Sequence, residues 1–197
     1  MESFPYLWKP IKSFTMLDII PNTMFESIFD DKDMILLQNH LRDNKQTITT
    51  AESCTGGLIA SMITEVSGSS DIFHGALISY SNEIKHQELQ VRNETLEKYG
   101  AVSCEVVNEM LEGVIKKFDA DYAIAVSGIA GPNGGTKSKA VGTVVIGIFN
   151  NLEKDIEICH FKGSRKEVQI QAAKYSLKKI LRNFQICSKN PWQKKYK

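Results

Sequence analysis

The run Glu52-Ser53-Cys54-Thr55-Gly56-Gly57 sets two nucleophilic atoms, the Ser53 hydroxyl and the Cys54 thiol, beside paired glycines. Such glycines let a backbone bend tightly and approach a ligand closely. The N–H groups that open a following helix lack intrahelical partners, and the dipole there favours negative charge. Ser53 would then stand beside donors for the oxyanion of acyl transfer, supplied by the backbone of Thr55, Gly56 and Gly57. The same helix start lowers a thiol pKa, so Cys54 is a second candidate nucleophile. A plainer role also stays open: Ser53 and Thr55 as N-caps.

A serine nucleophile needs a base, and none of the four histidines has an obvious claim. His40 and His86 fall in polar helical contexts, His74 inside a strand and His160 on a hairpin. Tyr80-Ser81-Asn82-Glu83-Ile84-Lys85 leaves Tyr80 and Lys85 as candidates, against a core tyrosine and a solvated surface lysine. A free lysine titrates near 10.4, and bringing it to 7 takes about 4.6 kcal/mol of preference for the neutral form. With Ser81 or Asn82 as a cap, Lys85 lies in a first helical turn, where the dipole opposes its charge by roughly 0.3–2 kcal/mol. Desolvation or a neighbouring cation must supply the larger share.

A third segment, Ser127-Gly128-Ile129-Ala130-Gly131-Pro132-Asn133-Gly134-Gly135-Thr136, follows a buried-type strand and can turn backbone N–H groups to a phosphate or carboxylate. A plain flexible loop is the alternative. Lys137 and Lys139 follow it, and Gly163-Ser164-Arg165 offers a bidentate anion clamp at a helix start. The G-x-x-x-x-G-K-[ST] order of a Walker loop is absent.

The elements that must position these loops are legible from periodicity. Residues 31–41 read as a helix capped by Asp31 or Asp33, and residues 47–51 as a strand running into Ser53. Residues 58–66 read as a helix, 73–80 as a strand, and a short helix opens near Ser81-Asn82. Residues 103–118 form a clear helix with Val106, Val107, Met110, Leu111, Val114 and Phe118 in its stripe. Residues 121–126 are a buried-type strand, 141–149 and 155–161 a hairpin about Asn150-Asn151, and 164–184 a final helix. This alternation implies an α/β domain whose helices cover a largely buried sheet. The three loops each follow a strand, so they converge on one crevice.

Composition narrows the partners. The 24 basic and 23 acidic residues give a net charge of +1, which argues against a nucleic-acid-coating surface. Lys189, Lys194, Lys195 and Lys197 crowd the end of the chain and leave the body slightly acidic. Any anionic ligand is therefore met by local donors rather than by a global field. Cys54, Cys104, Cys159 and Cys187 stand singly, the pattern of reduced cytosolic thiols, with neither a disulfide framework nor a zinc site. Glu2, Lys9, Lys12 and Asp18 interrupt the apolar clusters of the first twenty residues, and no stretch nears the ~20 apolar residues of a membrane span. A cytoplasmic protein with no membrane partner is expected. Residues 1–29 read as an irregular arm bearing Phe4, Tyr6, Leu7, Trp8 and Phe14, docked on its own body or on a second subunit. Residues 30–186 form one domain, and 187–197 a basic tail.

In combination the motifs are specific. Thr50-Ala51-Glu52-Ser53-Cys54-Thr55-Gly56-Gly57, Phe73-x-Gly75, Ser79-Tyr80-Ser81-Asn82-Glu83-x-Lys85, Gly100-Ala101-Val102-Ser103, Ser127-Gly128-Ile129-Ala130-Gly131-Pro132 and Val141-Gly142-Thr143-Val144 follow one order. Over residues 34–181 they closely resemble the C-terminal domain of competence/damage-inducible proteins (CinA), also known as nicotinamide-nucleotide amidohydrolases. The resemblance implies a three-layer α/β/α sandwich with a mixed, mostly buried sheet. It implies hydrolysis of nicotinamide mononucleotide to nicotinate mononucleotide and ammonia. A homodimer or larger homo-oligomer is expected, with neither cofactor nor metal. It makes Ser53 the nucleophile and Tyr80 and Lys85 its activating partners. Thr55, Gly56, Gly57, Ser127, Gly128, Gly131 and Arg165 match the region that receives the nucleotide substrate. The family usually has Thr where Ser127 stands and Lys-Pro where Lys139-Ala140 stands. Its longer members carry a further N-terminal domain that some thirty residues cannot encode. A catalytically silent nucleotide-binding module and a hydrolase using Cys54 are the competing readings.

Overall fold

The computed structural model describes residues 28–150 and 152–188. The expected aromatic arm and basic tail fall almost wholly outside the described residues. At their inner edges, Phe29 packs into the core and the final helix runs on to Ser188.

Five strands form one sheet in the order β2-β1-β3-β4-β5. They are β1 (Ile48–Glu52), β2 (Phe73–Ile78), β3 (Tyr122–Gly128), β4 (Thr143–Asn150) and β5 (Lys154–His160). The first three are mutually parallel, and β4 and β5 add an antiparallel hairpin beside β3. The six α-helices of the described residues are α1 (Asp31–Asp43), α2 (Leu58–Glu65), α3 (Asn82–Leu89), α4 (Asn93–Tyr99), α5 (Cys104–Phe118) and α6 (Arg165–Ser188). α1, α2 and α6 bury one face of the sheet, and α3, α4 and α5 bury the other. This is the mixed-sheet α/β/α sandwich.

Local chemistry accounts for most boundaries. Asp30, rather than Asp31 or Asp33, caps α1 by accepting from the Asp33 N–H at 3.0 Å. Ser103 caps α5 through the Val106 N–H. On α5, Val106, Val107, Met110, Leu111 and Val114 bury completely, worth roughly 1.5–3 kcal/mol apiece. A Cβ on Gly113 would run into the Leu89 carbonyl, so glycine at that position lets the end of α3 lie directly on α5. That seat fixes the helix carrying Lys85.

α4 is not foreseen by periodicity, because its start has no side-chain cap. Glu109 on α5 organises it instead, accepting from the Arg92 N–H and the Thr95 hydroxyl, each at 2.8 Å. That partner is remote in sequence, so no local pattern announces the helix.

Candidate active site

The three parallel strands end together. Beyond their last residues Ser53 N–H donates to the Val126 carbonyl at 3.0 Å and Ser79 N–H to the Glu52 carbonyl at 2.8 Å. The loops after β1, β2 and β3 therefore leave the sheet side by side, at the carboxyl edge where open α/β sheets bind ligands.

The loop after β1 is held from within by an acid. The Glu52 carboxylate is fully buried and accepts from the N–H groups of Gly57 at 3.0 Å, Ile59 at 3.1 Å and Ala60 at 2.8 Å, and from the Thr50 hydroxyl at 3.2 Å. It thus occupies the donors that open α2, so neither Ser53 nor Thr55 serves as a cap. The N-cap is Gly57, with φ +98 and no side-chain bond. Gly56 N–H donates to the Ser53 carbonyl at 3.1 Å. The expected oxyanion donors therefore shift along the chain: Gly56 and Gly57 are engaged, whereas no other described residue accepts from the Cys54 or Thr55 N–H, the Cys54 N–H lying against its own thiol sulfur. Glu52→Ala would leave three helix-opening donors without their acceptor. A loss of roughly 2–4 kcal/mol is expected, measured by urea unfolding.

Ser53 and Lys85 meet. Lys85 is only 1% exposed, and its Nζ donates to Ser53 Oγ at 3.1 Å and to the Ser79 carbonyl at 2.6 Å. Burial pushes its pKa down to about 8, while the neighbouring Cys54 sulfur acts in the opposite sense. Desolvation, rather than the helix dipole, makes the large contribution. The Ser81 hydroxyl caps α3 through the Ile84 N–H at 3.1 Å, which aims Lys85 inward one turn later.

Cys54 is a different case. Its thiol is buried and pushed up to about 12, chiefly by desolvation and also by the Glu52 charge. The thiolate that a helix start was expected to favour is thus disfavoured.

Tyr80 joins neither Ser53 nor Lys85. It is 61% exposed, and its Oη accepts from Arg165 Nη2 at 2.7 Å. Arg165 Nη1 donates to the Gly131 carbonyl at 2.8 Å. One guanidinium thereby ties the β2 loop to the glycine loop across the crevice and keeps its other N–H groups for a ligand. Ser127 is buried, and its hydroxyl donates to the Ala101 carbonyl at 2.7 Å, a tie to the α4–α5 connection. Gly128 lies within β3, where a Cβ would press on Thr143 and Val144. Both positions thus have structural partners. Lys139 donates to the Tyr99 carbonyl at 2.8 Å and so pins the end of the loop.

Two buried hydroxyls, Thr55 Oγ1 and Ser79 Oγ, make no hydrogen bond among the described residues. One belongs to the loop of Ser53 and the other to the residue whose carbonyl holds Lys85. Among the described residues no group of three His, Cys, Asp or Glu side chains is placed to hold a metal ion. No described helix is long and apolar enough to cross a membrane.

Sequence reading missed Glu52 and Gln169, whose Nε2 donates to the Cys54 carbonyl at 2.8 Å. An acid closing a strand just before a helix is a signal of a kind, since a carboxylate suits a helix start. Gln169 carries none, being one polar residue on a long helix.

The family described as the CinA C-terminal domain matches residues 32–184. CinA-like proteins of Thermotoga neapolitana and Thermotoga maritima are 43% and 42% identical over 151 and 180 residues. Those alignments take in 77% and 91% of this chain but 37% and 43% of the relatives, so the chain spans less than half their length. The crystal structure of competence damage-inducible protein A (ComA) from Klebsiella pneumoniae matches with a TM-score of 0.76 at 32% identity, covering 78% of this chain and 96% of that one. A competence-damaged protein (CinA) superfamily protein from Escherichia coli matches at 0.74 and 31%, covering 79% and 93%.

Proposed function

The chain belongs to the CinA C-terminal domain family, and from that premise we propose that it is a serine amidohydrolase releasing ammonia from the carboxamide of nicotinamide mononucleotide. The observation that carries the proposal is the buried Lys85 amine 3.1 Å from the Ser53 hydroxyl. Neutral Lys85 directs two N–H groups and one lone pair. With an N–H on the Ser79 carbonyl, the lone pair can take the Ser53 proton as Oγ attacks the amide carbon. The Cys54 and Thr55 N–H groups stand ready for the oxyanion. The protonated lysine then gives its proton to the departing nitrogen as the C–N bond breaks. Water, activated by the same amine, releases the acid and restores Ser53.

Arg165 takes the phosphate in this proposal, using N–H groups left free by Tyr80 and Gly131. Tyr80 acts through Arg165 rather than on Ser53. The unpartnered Thr55 hydroxyl completes the substrate side of the nucleophile loop. The proposed catalytic unit is residues 30–186, in a cytoplasmic homodimer or larger homo-oligomer, whose mass sedimentation would give.

The test is ammonia release from nicotinamide mononucleotide, nicotinamide and glutamine side by side. The mononucleotide should be turned over far faster than either other amide. Mononucleotide binding without ammonia from any of the three would favour a silent binding module. Arg165→Ala should raise KM for the mononucleotide roughly 10–10²-fold, the worth of a charged hydrogen bond, with kcat changed much less. Equal effects on mononucleotide and free nicotinamide would assign Arg165 to structure.

A further inference from the structure

The Thr55 N–H, for which no described residue is an acceptor, belongs to a peptide whose carbonyl is held from outside the loop. Gln169, one turn after Arg165 on α6, donates its Nε2 to the Cys54 carbonyl at 2.8 Å. The Cys54 carbonyl and the Thr55 N–H share one planar trans peptide and point in opposite directions. α6 packs on one face of the sheet with Val168 and Ala172 buried there, whereas Lys85 comes from α3 on the other face. A carbonyl drawn toward α6 therefore turns the Thr55 N–H away from α6, to the side where Lys85 meets Ser53. Glu52 holds the far end of the loop through Gly57 but makes no bond to this peptide. Nor does any other described side chain.

We infer that Gln169 is a positioning residue for the reaction: it fixes the Cys54–Thr55 peptide so that the Thr55 N–H faces the oxyanion formed on attack by Ser53. The inference rests on the serine-amidase reading. A donor held in this way acts on the charge that develops in the transition state and not on the neutral carboxamide. Removing the hold lets the peptide rotate, while Arg165, assigned to the phosphate, keeps its own bonds to Gly131 and Tyr80.

Steady-state ammonia release from nicotinamide mononucleotide tests this with Gln169→Leu, which keeps bulk and loses the donor, and Gln169→Glu, which keeps shape and offers the carbonyl only acceptors at neutral pH. Removing an oxyanion donor outright costs roughly 10²–10³-fold, so loosening one is expected to lower kcat roughly 10–10²-fold. KM should stay within about threefold and the thermal midpoint within a few degrees. If Leu disturbs the fold, the Glu variant decides. A kcat within threefold of wild type overturns the inference. So does a KM that rises in step, or loss of fold in both variants, because each makes Gln169 a general structural contact. An active wild type with unaffected variants defeats this inference alone. An inactive wild type defeats the amidase reading, and this inference with it.

Discussion

Replacing Ser53 with alanine is expected to lower kcat by roughly 10³-fold or more, because the covalent route disappears with its nucleophile. KM should change little, since the hydroxyl meets Lys85 while the proposed phosphate site lies at Arg165. Cys54→Ala is the necessary companion. The adjacent thiol is buried and pushed up to about 12, so at neutral pH almost none of it is thiolate. Its replacement should leave most activity, with a modest stability loss from one small cavity. Rapid-quench measurement of an acylated enzyme separates the two residues further: the intermediate should form with Cys54→Ala and be absent with Ser53→Ala. A reversal of these results would mean a thiol mechanism, and the assignment of Lys85 would need rebuilding around it.

Lys85 gives the second large effect, and it is read in two ways. As a base, Lys85 works only when neutral, so the rate should rise with pH through about 8 and level off above it. Lys85→Arg keeps the charge but removes a usable base, since a guanidinium stays protonated. It should lose roughly 10³-fold in kcat, almost as much as Lys85→Ala. Near-normal turnover of Lys85→Arg would leave only a charge-supplying role. Stability supplies the other reading. The lysine titrates near 10.5 unfolded and about 8 folded. Between those values the unfolded chain holds a proton that the native state lacks, so stability rises with pH across that window. Below pH 8 the native state bears the full burial penalty, on the order of 3 kcal/mol. Lys85→Met, similar in bulk and uncharged, should therefore be inactive yet more resistant to urea than wild type at pH 6. The gain should fade as pH approaches 10.5. A destabilised Lys85→Met at pH 6 would indicate that Lys85 is not strained by its burial.

The division between sequence and tertiary structure runs along the range of the interactions involved. Periods of 2 and 3.6, and turn residues such as Gly56, Gly57 and Ser81, act between neighbours in the chain. The strands, five of the six helices, the α/β class and the convergence of three loops at one sheet edge were accordingly legible, with small shifts at the ends. Ser53 and Lys85 could be nominated for the same reason, each by the helix it precedes or begins. Four things depended on groups brought together from afar. Asn93–Tyr99 is helical because Glu109 organises its start. Tyr80 faces Arg165, 85 residues away, rather than Ser53. Gln169 reaches Cys54 across 115 residues. The lowered pKa of Lys85 comes from burial, which no local pattern encodes, because desolvation is the summed effect of every element packed around an atom. Residue types and spacing determined which groups were candidates for chemistry; the packing of helices on one sheet decided which of them meet, raising the Cys54 thiol pKa and lowering that of the Lys85 amine beside Ser53.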